Sequence, residues 1–144
     1  IAGRTGHAVV ADARLRERNY GVAEGLTYGE IGVHYPEVFS RVRDTDPHYV
    51  VPGGESRRQL FERVRDAFEG LAREHDGLRV AVVCHGGVLA ALYRHVRAIP
   101  VSAPQAIPIP NASYNALAFE SGAWTVEAWA DTAHLEATAP FVEP

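Results

Sequence analysis

The sequence predicts an α/β fold with a largely parallel sheet, and three observations carry that expectation. Residues 79–84 (Arg-Val-Ala-Val-Val-Cys) form an apolar run without the alternation of a strand that faces water on one side; a strand covered on both faces reads this way. Strand-like and helix-like stretches then alternate along the chain, as they do where helices cover a parallel sheet. Finally, 144 residues with 47% hydrophobic and 22% charged content suit one globular domain, and a chain of this size buries roughly 70% of its unfolded surface.

The elements follow in order. Residues 7–11 (His-Ala-Val-Val-Ala) are short, apolar and β-branched, the signature of a strand. Residues 15–25 hold charges and the turn formers Asn19, Gly21 and Gly25, and read as a loop. Thr27 and Glu30 stand at capping-box spacing, so a helix is expected from there towards His34, and Pro36 restarts a short one through Val42. Residues 51–56 form a loop ending in a second capping box, Ser56 with Gln59. Behind it Leu60, Phe61, Val64, Ala67, Phe68 and Leu71 recur at helical intervals, predicting a helix over roughly 57–75. Asp76-Gly77 turns the chain into the 79–84 strand. His85-Gly86-Gly87 then leads into an apolar helix from Val88 to about Val96. Prolines at 100, 104, 108 and 110 make a loop. The β-prone runs 114–120 and 124–130, separated by Ser121-Gly122, predict a hairpin near a sheet edge.

Charge and composition narrow the function. Fourteen basic residues, all Arg, against eighteen acidic ones give a net charge of −4, which argues against broad binding to nucleic acid or acidic membrane. Guanidinium forks suit phosphate oxygens, although the Ala-, Arg- and Gly-rich composition explains the missing Lys equally well. No run of eighteen apolar residues is present to cross a membrane. A lone cysteine, Cys84, excludes an internal disulfide framework and fits a reducing cytoplasm, where the protein is expected to act.

Two places carry candidate chemistry. His85 stands where a buried strand stops and two glycines open a helix, a position where ligands gather in open α/β sheets. The helix N-terminus there offers free N–H groups to an anion. Cys84 beside it does not make a catalytic dyad, because adjacent strand residues point to opposite faces. The second place is residues 15–26, where an Arg–carboxylate cluster, Tyr20 and two glycines fall just beyond a strand. A carboxyl beside a phosphate is pushed towards its protonated form and can give a proton to a leaving oxygen. A solvated charged loop is the plain alternative there, and a His satisfying a turn is the plain alternative at 85.

The ordered set of phrases resembles the histidine phosphatase superfamily, the phosphoglycerate-mutase-like proteins. Val82-Val83-Cys84-His85-Gly86-Gly87-Val88 is similar to that family's second-histidine motif, and Leu15-Arg16-Glu17 through Gly25-Leu26-Thr27 to its acid motif. Pro52-Gly53-Gly54-Glu55-Ser56 matches its Gly-Glu-Ser loop. Pro110-Asn111-Ala112-Ser113 and Asp131-Thr132-Ala133-His134-Leu135 match its ending. The resemblance implies a three-layer α/β/α sandwich, phosphoglycerate mutase-like, and a metal-free phosphomonoester hydrolase that works through a phosphohistidine. It implies Glu17 as the general acid, and His85 with the N–H of Gly86 as the groups that hold the transferring phosphoryl. Arg18 and Tyr20 would line the substrate side, and Glu55 and Ser56 would support them, with a helix-capping role for Ser56 equally open. No cofactor or metal is implied. The expected partner is a small phosphorylated substrate, neither nucleic acid nor membrane, with a homodimer as the assembly open to the protein.

The same resemblance leads one to expect an Arg-His-Gly phrase, carrying the nucleophile, ahead of everything seen here. Residues 1–7 look instead like the end of the following helix and its turn, so the 144 residues are expected to be a single domain incomplete at its N-terminal side, with sheet edges left exposed. Two alternatives stay open. Glu17-Arg18-Asn19-Tyr20-Gly21 echoes the cofactor-dependent phosphoglycerate mutases, although the short stretch between Glu17 and His85 lacks their long helical insertion. A catalytically inactive phosphate-binding regulatory domain is the other.

Overall fold

Local side-chain chemistry starts most of the helices. The computed structural model describes residues 1–43, 46–104 and 107–136. Helix α1 (Ala2–Thr5) ends at Gly6, whose left-handed backbone (φ 72°) makes the expected turn. Thr27 Oγ1 accepts from the Glu30 N–H at 3.3 Å, and the Glu30 carboxylate accepts from the Thr27 N–H at 2.8 Å, so α2 (Tyr28–His34) opens with the capping box read from sequence. Pro36 begins α3 (Pro36–Arg43). Ser56 and Gln59 repeat the reciprocal cap at 3.1 and 2.8 Å for α4 (Arg57–Glu74). Helix α5 (Gly86–Val96) starts two residues before the sequence expectation, directly after His85. A hairpin, β1 (Tyr114–Glu120) and β2 (Ala123–Asp131), turns through Ser121 (φ 52°) and Gly122 (φ 79°), and a short α6 (Ala133–Glu136) follows. Two positive φ values in a two-residue connection match the right-handed twist of the strands they join.

The helices bury their stripes in two clusters. Leu60, Val64 and Phe68 of α4 pack against Val88, Ala91 and Leu92 of α5, and the hairpin lays Leu117 and Trp124 onto them. Glu69 ties this cluster together, accepting from the Trp124 indole at 3.0 Å while lying 2.9 Å from His95 Nε2. Ala23, Ile31, Val38 and Val51 make the second cluster under α2 and α3. Leu15 packs on the first cluster and Val22 on the second. Residues 16–21 therefore run between the two clusters.

The expected parallel sheet is not formed among the described residues. Among the described residues the sheet is the antiparallel hairpin alone, and neither 7–11 nor 79–84 enters a ladder. An extended chain becomes a strand only when a neighbour takes up its N–H and C=O groups, and no described segment does so for either run. The expectation of a run covered on both faces fails with it. Val9, Val10 and Val83 are 80%, 89% and 81% exposed. One face of 79–84 is packed as expected, since Val82 and Cys84 lie against the first cluster.

Candidate active site

The loop that carries Glu17 is held from below by a charge pair and from the side by another loop. Asp12 accepts from the Arg14 N–H at 2.8 Å and caps a short 3-10 turn, Ala13–Leu15, which delivers the chain to residue 17. Glu55 is buried beneath. Its Oε1 accepts from the Asn19 N–H at 2.9 Å, and its carboxylate meets the Arg63 guanidinium from α4 at 2.6 and 3.0 Å. Burial alone would push the Glu55 carboxyl up. The Arg63 hydrogen bond, the Asn19 N–H and the charges of Arg63 and Arg16 outweigh it and hold the group below its usual range. Glu55 is thus an anion built into the floor of the loop.

The side wall is backbone on backbone. The Glu55 N–H donates to the Asn19 carbonyl at 2.9 Å and the Val22 N–H to the Pro52 carbonyl at 3.0 Å. A Cβ on Gly54 would lie 2.5 Å from the Asn19 carbonyl oxygen and 2.8 Å from the Gly21 nitrogen, and one on Gly21 would overlap the Pro52 carbonyl. Only glycine lets the two loops approach this closely.

The Glu17 side chain reaches the start of α5. Its Oε1 accepts from the Arg18 N–H at 2.7 Å and its Oε2 from the Gly87 N–H at 2.9 Å. Gly87 belongs to the first turn of α5, where N–H groups have no partner within the helix and the potential is positive. Residue 87 has no room for a side chain, because a Cβ would overlap Glu17 Oε1 and stand 3.0 Å from its Cδ. Replacing Gly87 by Ala is expected to drive the carboxylate out of hydrogen-bond reach of the residue 87 N–H. The melting temperature should fall modestly, since the lost hydrogen bond to a charged group, worth about 1.5–3 kcal/mol, outweighs the roughly 1 kcal/mol by which alanine favours a helix over glycine. A crystal structure of the variant with its thermal melt checks both halves.

His85 is the N-cap residue of the same helix, with an extended backbone (φ −113°, ψ 165°) and an exposed side chain. Among the described residues its imidazole makes no hydrogen bond. Cys84 faces the other way into the first cluster, as strand-like alternation requires. Burial pushes its thiol up, the Glu17 charge adds to that, and the His85 N–H opposes it. A raised thiol carries little of the reactive thiolate. Arg18 is buried and donates through Nε to the Glu55 carbonyl at 3.1 Å, with its guanidinium 5.0 Å from the Tyr20 ring centre. Packing raises the Tyr20 phenol, with Arg18 pulling the other way, so the hydroxyl remains a neutral donor.

Of the residues singled out from sequence, Glu17 meets the helix end that His85 and Gly86 open, and Glu55 lies under its loop, while the Arg18 and Tyr20 side chains pack on each other with Arg18 turned to the Glu55 carbonyl. Ser56 acts as the α4 cap. Three participants were missed: Arg63, Gly87 in its particular contact with Glu17, and Asn19. Arg63 carried one faint signal, lying seven residues after Ser56 and hence on the same side of the helix. Among the described residues no group of three or more His, Cys, Asp or Glu side chains is placed to hold a metal ion, and no helix is long and apolar enough to cross a membrane.

Known proteins resemble this chain in sequence and in fold. The profile of the histidine phosphatase superfamily, branch 1, matches residues 1–132. The chain is 36% identical over 141 residues to phosphoglycerate mutase-like protein 4 of Arabidopsis thaliana, covering 96% of this chain and 60% of that protein. It is 38% identical over 122 residues to the metal-independent phosphoserine phosphatase of the same plant, covering 84% of this chain and 50% of that one. The chain therefore spans between half and three fifths of the length of these relatives. Among solved structures, Bacillus stearothermophilus YhfR superposes with a TM-score of 0.78 at 28% identity, over 86% of this chain and 62% of that one. A mycobacterial glucosyl-3-phosphoglycerate phosphatase superposes with a TM-score of 0.73 at 29% identity, over 91% of this chain and 68% of that one.

Proposed function

The chain belongs to the histidine phosphatase superfamily, and from that premise we propose that it is the acid-bearing part of a phosphomonoester hydrolase working through a phosphohistidine. The observation that carries the reading is the Glu17 carboxylate seated at the N-terminus of α5, two residues from His85. A proton donor and an anion-binding helix end then share one mouth.

In this reading a histidine ring nitrogen attacks phosphorus while the bond from phosphorus to the ester oxygen breaks. Glu17 gives its proton to that oxygen, and the alcohol departs. A doubly negative phosphoryl group favours the protonated form of a carboxyl beside it. In the second step water attacks the phosphohistidine, its proton passes to Glu17, and the N–P bond breaks to release phosphate. His85 and the Gly86 N–H hold the equatorial oxygens, where negative charge accumulates in the transition state. Arg18 and Tyr20 would line the leaving-group side, with Glu55 holding the loop and Ser56 capping α4. The nucleophile belongs to an Arg-His-Gly phrase, which does not occur in these 144 residues. A strand carrying it between 7–11 and 79–84 would complete a parallel sheet in a three-layer sandwich and cover Val9, Val10 and Val83.

The test is turnover by full-length protein. With chelator present it should release phosphate from p-nitrophenyl phosphate and, on quenching, retain label as an acid-labile phosphohistidine. Binding of phosphate without release would sink the hydrolase reading in favour of a regulatory domain. The phrase from Glu17 to Gly21, with Arg18 against Tyr20, favours a phosphoglycerate mutase as second reading. Interconversion of 2- and 3-phosphoglycerate outpacing phosphate release would select it.

A further inference from the structure

Arg63 uses every donor it has on the acid loop and its anchor. A guanidinium carries five N–H groups in a rigid fork. Nη1 donates to the carbonyls of Arg14 at 2.7 Å and Arg16 at 2.9 Å, and Nη2 to the Glu17 carbonyl at 3.1 Å. Nη2 also meets Glu55 Oε1 at 2.6 Å, and Nε meets Glu55 Oε2 at 3.0 Å. Three of the four residues from 14 to 17 are therefore fixed through their main chain by one side chain. That side chain stands on α4, a capped helix whose other face is the first core cluster. Glu55 closes the loop from the far side through the Asn19 N–H.

We propose that Arg63 is the positioning residue for the general acid: paired with Glu55, it sets the height of the Glu17 backbone so that the carboxylate meets the α5 N-terminus. This rests on the acid role of Glu17 argued above. The geometry explains why the acid needs such a device. Glu17 lies in a loop with no strand or α-helix of its own, and its carboxylate must land on the Gly87 N–H from a distant part of the chain. A loop left to itself would sample many positions, and an acid displaced by an ångström loses much of its effect. Lysine cannot replace the fork, since its three donors converge on a single point.

The experiment uses full-length protein with Arg63→Lys, Glu55→Gln and Arg63→Lys combined with Glu17→Gln. Turnover is measured on glycerol phosphate, whose alkoxide needs a proton, and on p-nitrophenyl phosphate, whose leaving group does not. The Gly87 amide proton shift is read by NMR in phosphate-free buffer. Arg63→Lys is expected to lose at least about tenfold more turnover on the alkyl ester than on the aryl ester. Adding Glu17→Gln to Arg63→Lys should cost less on the alkyl ester than it costs the wild type, and the Gly87 amide should move upfield as its carboxylate partner withdraws. Equal loss on both esters, additive losses in the double variant, or an unmoved Gly87 resonance would overturn the proposal. Lysine keeps the positive charge but brings three donors to the five acceptors that Arg63 serves. If Arg63→Lys does not fold, Glu55→Gln, which keeps the shape and removes the charge, decides by the same readouts. Should the wild type hydrolyse neither ester, the hydrolase reading falls alone, and the Gly87 resonance still decides whether Arg63 holds the carboxylate.

Discussion

Glu17→Gln is expected to cut hydrolysis of an alkyl phosphate by about 10²–10⁴-fold while leaving p-nitrophenyl phosphate much less affected. The change keeps the size of the side chain and removes the proton. An alkoxide leaves poorly unless protonated, whereas nitrophenolate leaves unaided, so the ratio of the two rates isolates proton donation from binding. The site adds a structural consequence. Both Glu17 oxygens accept backbone N–H groups, from Arg18 and from Gly87. A glutamine has one acceptor oxygen and must turn its NH₂ towards one of those donors, so part of the loss will come from a shifted side chain. That part falls on both esters alike. An equal loss on both would mean that Glu17 is an orienting group and that the acid lies elsewhere.

What the sequence disclosed and what it hid divides along the distance over which contacts are made. Both capping boxes, Thr27 with Glu30 and Ser56 with Gln59, were visible because donor and acceptor lie three residues apart. The hairpin was visible for the same reason, its turn residues being adjacent. The opposite facing of Cys84 and His85 followed from backbone geometry alone. The clamp from Arg63 to the carbonyls of 14, 16 and 17 joins positions nearly fifty residues apart. Nothing in a helix stripe announces that one arginine on its flank will find five acceptors. The Gly87–Glu17 contact is longer still in sequence, and a glycine pair after a histidine does not say which side chain will need its missing Cβ. The strands failed differently. Their apolar, β-branched runs are present, but pairing is a property of two segments, and 7–11 and 79–84 have no partner among the described residues.

His85→Ala gives the sharpest contrast with Glu17→Gln, because its effect should ignore the leaving group. Turnover is expected to fall by about 10²–10³-fold on aryl and alkyl esters equally. A ring that donates to the transferring phosphoryl acts on charge that builds up on the equatorial oxygens whatever alcohol departs. Folding should hardly change. The imidazole is exposed and, among the described residues, without a hydrogen bond, and the α5 cap is made by main chain, with the Leu89 N–H donating to the His85 carbonyl at 3.0 Å. Surface substitutions of that kind stay within about 0.5 kcal/mol, so lost turnover cannot be charged to lost protein. The Gly86 N–H and the helix end remain in the variant, which sets a floor under the residual rate. Two mutants with opposite dependence on the leaving group would assign the acid and the phosphoryl holder separately. Unchanged turnover in His85→Ala would leave the helix end alone to bind the anion and remove the histidine from the chemistry.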